Sequence, residues 1–267
     1  MKKISKIVAS ALCGVALVAG CMALAGCGGS GDTNTPAAGE PGYTLVEDGK
    51  LTIGTDFDYP PFTMLKDGQP DGFEYGMMTE ICKRIDLELN YLSPQAFDTL
   101  VTQVAGGTTM DVAVSGITIN DERLEEVDFT DSYYDSNLAI VTMKDSKVTK
   151  DGLKDVKIGA QSGTSGEDWV KENVGDANYT PYTAITEALL ALRTGKVEAL
   201  VYDAPVAEAH IAGEYSDMAV LETIATGEQY GIAVNKENTA LKEAINGALA
   251  EMKADGTLEK LVAEYLA

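Results

Sequence analysis

The sequence has few basic residues, one histidine and four cysteines, and these shortages exclude several classes of function. Its 20 lysines and arginines stand against 42 aspartates and glutamates in 267 residues, which gives a net charge of −22. A chain this acidic cannot neutralise phosphates, so nucleic acid is excluded as a partner. His210 is the only histidine and no cysteine cluster accompanies it, so neither a metal site nor a cofactor is expected.

The N-terminus has the pattern of an export signal. Three lysines precede the apolar segment 7–24, which leads into Leu-Ala-Gly-Cys ending at Cys27. That ending resembles the lipobox of bacterial lipoproteins, in which the cysteine is lipidated and becomes the first residue after cleavage. We therefore predict a signal peptide at 1–27 and a lipid anchor at Cys27 on the outer face of the cytoplasmic membrane. Cleavage before Cys21 and an uncleaved transmembrane anchor are the alternatives.

Removing the signal changes the charge and leaves one cysteine. The remaining 17 basic and 42 acidic residues give a net charge of −25. Cys13 and Cys21 leave with the signal and Cys27 carries lipid, so Cys82 has no partner for an internal disulfide. Segment 28–42, rich in small and polar residues, has the composition of a flexible tether. The rest of the chain is long enough for two lobes of about 100 residues each.

Short apolar segments alternate with segments of helical periodicity along this remainder. The predicted strands are 51–55, 88–93, 110–115, 137–142, 157–161, 197–202, 220–223 and 230–234. The predicted helices are 74–85, 98–105, 166–173, 185–193, 205–214 and 239–254, followed by an amphipathic segment at 258–266. The alternation predicts an α/β fold with largely parallel sheets.

A weak internal repeat lies within this pattern. Segments 100–115 and 189–202 share the order helix, glycine, acidic residue and apolar strand, and each strand leads into polar residues, at 115–116 and 202–203. Ligands of open α/β sheets bind beyond the carboxyl ends of strands. The two segments are therefore expected to face one cleft.

An arginine lies where a helix dipole disfavours it, in the segment SGITINDERLEEVDF at 115–129. Cap-like polar residues precede a short helix there, and Arg123 takes its third position. A cation in the first turn opposes the dipole at a cost of about 0.3–1 kcal/mol. One explanation is that the guanidinium holds an external anion. The other is a surface ion pair with Glu125, Glu126 or Asp128.

Five segments, in this order and spacing, resemble a known family. They are GTDFDYPPF (54–62), DGFEYGMMTEICKRI (71–85), SGITINDERLEEVDFTDSYY (115–134), IGAQSGTSGEDW (158–169) and VEALVYDAP (197–205). Over residues 51–266 the chain resembles the extracellular amino-acid-binding proteins that feed ABC importers, family 3 of the bacterial solute-binding proteins. The resemblance implies a two-lobed, periplasmic-binding-protein-like (type II) α/β fold, with a two-strand hinge and an interlobe ligand cleft. Lobe 1 is expected at 43–136 plus 230–267, and lobe 2 at 137–229.

The resemblance assigns residues to the α-carboxylate of an amino acid. Arg123 matches the arginine that grips this carboxylate, and Thr118 adds a backbone N–H and a hydroxyl. The loop 161–166 leads into the N-terminus of a helix, so its N–H groups can also hold a carboxylate. Thr164 and Ser165 are therefore assigned to the same group. The residues after the last glycine of this loop are acidic, unlike those of a nucleotide P-loop.

The α-ammonium is assigned to the ends of the repeated strands. Gly116, preceded by Ser115, would let the backbone approach the ligand closely, and its carbonyl would accept from the ammonium. Asp203 would be the charged partner from the other lobe. Its alternative role is to cap the helix that follows it, and one carboxylate can serve both roles.

The side-chain end of the pocket is assigned to four residues. Asp56 and Tyr59 match positions that line this end in the family, and Phe97 matches an aromatic wall, although ordinary core packing explains Phe97 equally well. A carboxylate at Asp56 favours a ligand side chain that donates hydrogen bonds, and Gln161 can bond to any such group.

These expectations describe a monomeric binding protein rather than an enzyme. It would capture a free polar or basic L-amino acid, of the glutamine, arginine, lysine or histidine type, and deliver it to an ABC transporter permease. The alternative is a cyclohexadienyl-dehydratase-like enzyme of the same fold, which needs a general acid in the cleft. A receptor sensor lobe would need a further membrane span or signalling domain.

Overall fold

The computed structural model of the chain describes residues 42–266. The predicted signal peptide at 1–27, the lipid anchor at Cys27 and all but the last residue of the tether lie outside the described residues. Within them, no helix combines the length and apolar character that crossing a membrane requires.

Strands and helices alternate through most of the described chain. The strands are β1 Lys50–Gly54, β2 Asp58–Tyr59, β3 Thr63–Lys66, β4 Gln69–Asp71, β5 Glu88–Tyr91, β6 Val112–Ala113, β7 Asp128–Phe129, β8 Tyr134–Met143, β9 Ile158–Gln161, β10 Tyr179–Tyr182, β11 Ala199–Asp203, β12 Met218–Tyr230 and β13 Ala233–Val234. The α-helices are α1 Phe73–Arg84, α2 Leu100–Gly106, α3 Asp121–Glu126, α4 Ser165–Asn173, α5 Ile185–Arg193, α6 Ala204–Ala212, α7 Thr239–Ala254 and α8 Thr257–Tyr265.

The strands form two five-stranded sheets and one small sheet. The first sheet has the order β5-β1-β6-β13-β7 and the second β10-β9-β11-β8-β12, while β2, β3 and β4 form the third. The expectation of largely parallel sheets is confirmed for four of the five strands in each large sheet. The triplets β5-β1-β6 and β10-β9-β11 are parallel, but β13 is antiparallel to both its neighbours and β8 is antiparallel to β11 and β12. One strand of each large sheet therefore runs against the other four, β13 in the first sheet and β8 in the second.

Helices with a strong apolar face begin and end where the sequence places them. In α5 the buried residues Ile185, Ala188, Leu189 and Leu192 repeat at helical spacing. The helix stops before Gly195, whose φ of 70° is a left-handed conformation that favours glycine. The second sheet is covered on both faces, which explains why all residues of β9 and β11 are buried.

Two long strands form the hinge of the two-lobed fold. β8 and β12 pair from Tyr134 opposite Tyr230 to Met143 opposite Met218. The apolar pattern predicted only 220–223 of β12 and placed residue 230 in the next strand, which was wrong because the pairing with β8 continues through residue 230. The lobe boundaries at 136/137 and 229/230 fall within these strands and stay a prediction. Edge-to-face aromatic contacts support the hinge, with the ring of Phe62 5.3 Å from that of Tyr230.

Candidate functional site

A small cavity lies where the carboxyl ends of β6 and β11 meet the loop after β9. Its volume is about 10 Å³, roughly the room that one water molecule needs. Nine of the eleven residues assigned from the sequence line it: Tyr59, Phe97, Gly116, Thr118, Arg123, Gln161, Thr164, Ser165 and Asp203. Chain segments that are distant in sequence thus converge on one polar space.

The other two assigned residues, Asp56 and Ser115, lie behind the cavity wall. Ser115 Oγ donates to Asp56 Oδ1 at 2.7 Å, and Gln161 Nε2 donates to Asp56 Oδ2 at 3.5 Å. The pKa of Asp56 is raised because the carboxyl is buried. Asp56 therefore reaches the cavity through Gln161 rather than by lining it.

Arg123 points into the cavity and is 8% exposed. Its Nη1 donates to the Thr118 carbonyl at 2.5 Å and its Nη2 to the Gly163 carbonyl at 2.8 Å. The guanidinium lies 5.7 Å from the ring centroid of Phe97. Burial lowers the pKa of Arg123, and none of the salt bridges in the described part of the chain includes it. The alternative of a surface ion pair does not match this buried position.

Local capping sets the direction of Arg123. Asn120 Oδ1 accepts from the backbone N–H of Arg123 at 2.9 Å, which starts α3 at Asp121. The helix therefore begins just after the turn that follows β6, and its third residue faces the cleft. A buried guanidinium whose protein partners are neutral carbonyls is suited to hold an anion.

The loop after β9 supplies hydroxyls on the opposite wall. Thr164 Oγ1 accepts from the N–H of Glu167 at 3.2 Å and so caps α4. Ser165 Oγ donates to Glu228 Oε2 at 3.0 Å, and Thr118 Oγ1 donates to the same oxygen at 3.2 Å. The carboxylate of Glu228 lies between these two hydroxyls, so a carboxylate fits at this position.

Asp203 forms the acidic wall of the cavity. Its carboxylate accepts from the hydroxyl of Tyr59, and Ser136 Oγ lies 3.5 Å from Oδ1. Burial and the nearby charge of Glu228 raise the pKa of Asp203 well above its usual range. Asp203 takes the cap position of α6 but makes no side-chain cap bond. Its carboxylate is therefore directed at the cavity and not at the helix.

Gly116 occupies a position that only glycine fits. Its φ is 58°, and a Cβ there would lie 2.8 Å from the ring of Tyr59. Its N–H donates to Glu74 Oε1 at 2.8 Å, and the hydroxyl of Tyr133 donates to the same oxygen. Glu74 Oε2 is buried and has no partner among the described residues. Burial raises the pKa of Glu74 to about 7.

Glu74 makes stability depend on pH. Because the folded pKa of about 7 exceeds the ordinary glutamate value of 4.5, the folded chain binds this proton more tightly than the unfolded chain. We expect the contribution of Glu74 to the free energy of unfolding to fall by about 3 kcal/mol as pH rises from 4.5 to about 7. Glu74→Gln should remove that fall, which denaturant unfolding at about pH 5 and about pH 7.5 would measure. Glu80→Gln, on the same helix but in a surface pair with Lys83, should keep it.

Sequence reasoning missed three polar residues around the cavity: Glu74, Ser136 and Glu228. Glu74 lies on α1, in a segment that was predicted only as a helix and as part of the family resemblance. Ser136 and Glu228 lie opposite each other on the hinge strands, and no periodicity or motif marks either one. Only the pairing of β8 with β12 brings them to the cleft.

The described residues show no arrangement for a metal. Within 42–266 no group of three or more histidine, cysteine, aspartate and glutamate side chains is placed to hold an ion. His210 is buried, and burial lowers its pKa to about 4.

Comparison with known proteins gives consistent matches along most of the chain. A family model described as bacterial extracellular solute-binding proteins, family 3, matches residues 51–267. The L-cystine-binding protein TcyJ of Escherichia coli (strain K12) is 30% identical over 221 residues, which cover 81% of this chain and 82% of that protein.

Solved structures with similar folds include two ancestral proteins. An ancestral arginine-binding protein bound to glutamine is 35% identical, with a TM-score of 0.76, and the match covers 82% of this chain and 98% of that protein. An ancestral arginine-binding protein bound to arginine is 34% identical, also with a TM-score of 0.76, and covers 82% and 99%.

Proposed function

Because this chain belongs to the bacterial extracellular solute-binding proteins, family 3, we propose that it is the substrate-binding protein of an amino-acid ABC transporter. It captures a free amino acid between its lobes, and the closed form docks on the permease. The protein carries out no chemical step on its ligand. Its relatives of known ligand are binding proteins, which supports this choice.

One observation carries the proposal: Arg123 and Asp203 lie on opposite walls of a single buried cavity. Arg123 follows β6 of the first sheet, and Asp203 ends β11 of the second. An α-carboxylate and an α-ammonium are the two charges common to all amino acids, and each finds its complement here. Lobe closure brings both complements to the ligand together.

The ligand is a polar or basic L-amino acid of the glutamine, arginine, lysine or histidine type. Gln161 and, behind it, Asp56 present acceptors to a side chain that donates hydrogen bonds. The related proteins bind cystine, arginine or glutamine, so the family fold accommodates such side chains.

Replacing Asp56 by alanine tests the side-chain assignment. We expect Asp56→Ala to weaken the amino acid with a donor side chain by about tenfold and alanine itself much less, because alanine makes no side-chain hydrogen bond. Calorimetry with both ligands measures the difference. Asp48→Ala, which removes an exposed carboxylate just before β1, is the control. Equal losses for the two ligands would remove Asp56 from the side-chain pocket.

The cellular setting is part of the same proposal. Cleavage before Cys27 and its lipidation would hold the protein, as a monomer, on the outer face of the cytoplasmic membrane. Segment 28–42 would serve as the tether, with lobe 1 at 43–136 plus 230–267 and lobe 2 at 137–229. The net charge of −25 expected after cleavage keeps such a protein soluble on its tether.

Thermal unfolding against a ligand panel tests the function. The protein is unfolded and refolded to remove carried-over ligand, then heated with each standard amino acid, cystine, ornithine or prephenate. A ligand at about a thousand times its Kd adds about 4 kcal/mol, or roughly 8–16 °C in Tm. The proposal predicts such a shift from one amino acid or a small chemical set. No shift in Tm from any of the amino acids, together with turnover of prephenate, would replace this proposal by that of a dehydratase-like enzyme.

A further inference from the structure

Glu228 reaches the cleft through an irregularity in the hinge. Ile224 pairs with Leu138 and Glu228 with Ser136, so β12 contains two more residues than β8 between these pairs. Gly227, with a φ of 68°, lies in this bulge. A bulge redirects the side chain that follows it. Glu228 is therefore half-buried beside the cavity rather than pointing along an exposed strand.

The Glu228 carboxylate bonds to both walls of the cleft. Its Oε2 accepts from Thr118 Oγ1 at 3.2 Å and from Ser165 Oγ at 3.0 Å. These are hydroxyls that the family resemblance assigns to the α-carboxylate of the ligand. A hydroxyl donates only one hydrogen, so each can serve Glu228 or the ligand but not both at once.

The charges around Glu228 make that exchange selective for an anion. Arg123, on one side, attracts a carboxylate in this position. Asp203 lies on the other side, and the negative charge of Glu228 helps to raise the pKa of Asp203. An α-carboxylate that enters beside Arg123 is repelled by Glu228 while it competes for the same hydroxyls. Glu228 and the ligand carboxylate therefore oppose each other in both charge and hydrogen bonding.

We propose that Glu228 is a built-in competitor for the ligand: it holds the hydroxyls of Thr118 and Ser165, and the α-carboxylate of the amino acid displaces it. The inference rests on the proposed function and adds to it a residue that sets affinity. Because the α-carboxylate is common to all amino acids, Glu228 limits the affinity for each of them by a similar factor. Glu228 thus weakens retention, which suits a protein that must release its ligand.

Substitution of Glu228 gives the test. In the full chain, Glu228→Ala should bind L-arginine and L-glutamine about tenfold more tightly than the unsubstituted protein does, since one charge-assisted hydrogen-bond exchange is removed. Glu228→Gln, which keeps the shape and removes the charge, should give a smaller gain of the same sign. Glu222→Gln is the matched control on the same strand, because Glu222 pairs with Lys150 away from the cleft, and it should leave both affinities unchanged.

The sign of the change decides between competitor and support. Unchanged or weaker binding of both amino acids by Glu228→Ala would show that Glu228 supports the ligand-bound form, which overturns the inference. Weaker binding of L-arginine alone would make Glu228 a partner of the side chain, which also overturns it. If Glu228→Ala fails to fold, Glu228→Gln carries the same test. Failure of the proposed function is distinct, because the unsubstituted protein would then bind no amino acid.

Discussion

Replacing Arg123 by alanine is expected to raise the Kd of every amino acid by at least about thirtyfold. Truncating one partner of a buried charge pair costs about 2–5 kcal/mol of binding free energy. Arg123 is 8% exposed, and its described partners are two backbone carbonyls, so the ligand carboxylate would be its counter-charge. Calorimetry with the tightest amino acid and with L-alanine measures the loss, which should be similar for both.

Two further arginine variants make the result specific. Arg123→Lys keeps the charge but loses the two-pronged geometry, so it should also weaken every amino acid. Arg193→Lys is the matched control, because Arg193 forms a surface pair with Asp217, and it should change no affinity. Unchanged binding in Arg123→Ala would mean that this guanidinium only joins Thr118 to Gly163 across the cleft.

Replacing Asp203 by asparagine is expected to abolish tight binding without destabilising the fold. The variant loses the negative charge that an α-ammonium pairs with, so Kd should again rise by at least about thirtyfold. The pKa of Asp203 is raised well above its usual range by burial. Folding near neutral pH therefore carries the cost of a desolvated charge or of a held proton, and a neutral amide removes that cost. Tm without added ligand should stay level or rise.

A higher Kd combined with an unchanged or higher Tm would separate a binding role of Asp203 from a structural one. If Asp203 served mainly to hold Tyr59 and cap α6, Asp203→Asn would lower Tm and leave affinity nearly unchanged. Asp217→Asn offers a surface comparison, since the pKa of Asp217 is lowered by its bond to Arg193. That variant should lose a little stability and no affinity.

Residues whose role depends on local pattern could be predicted from the sequence. The spacing of apolar side chains defined α5 and α7 to the residue, because their buried faces repeat through several turns. The unfavourable position of Arg123 in its helix indicated an anion site as one of two explanations. The carboxyl ends of β6 and β11 placed Gly116 and Asp203 at one cleft because open α/β sheets bind their ligands there.

Features that depend on distant pairing could not be predicted. The small sheet of β2, β3 and β4 is made of short strands with few buried residues and no clear alternation. The length of β12 comes from its pairing with β8, and that pairing alone carries Glu228 to the cleft. Asp56 was assigned to the pocket lining, but Ser115 and Gln161 hold it one layer behind.

A crystal structure of the protein with the tightest amino acid from the panel tests the central claim most directly. We predict that the α-carboxylate lies within hydrogen-bond distance of the Arg123 guanidinium and that the α-ammonium contacts Asp203, with the side chain directed towards Gln161. Glu228 should no longer accept from Thr118 and Ser165. An amino acid bound elsewhere, or bound here with its carboxylate away from Arg123, would contradict the account.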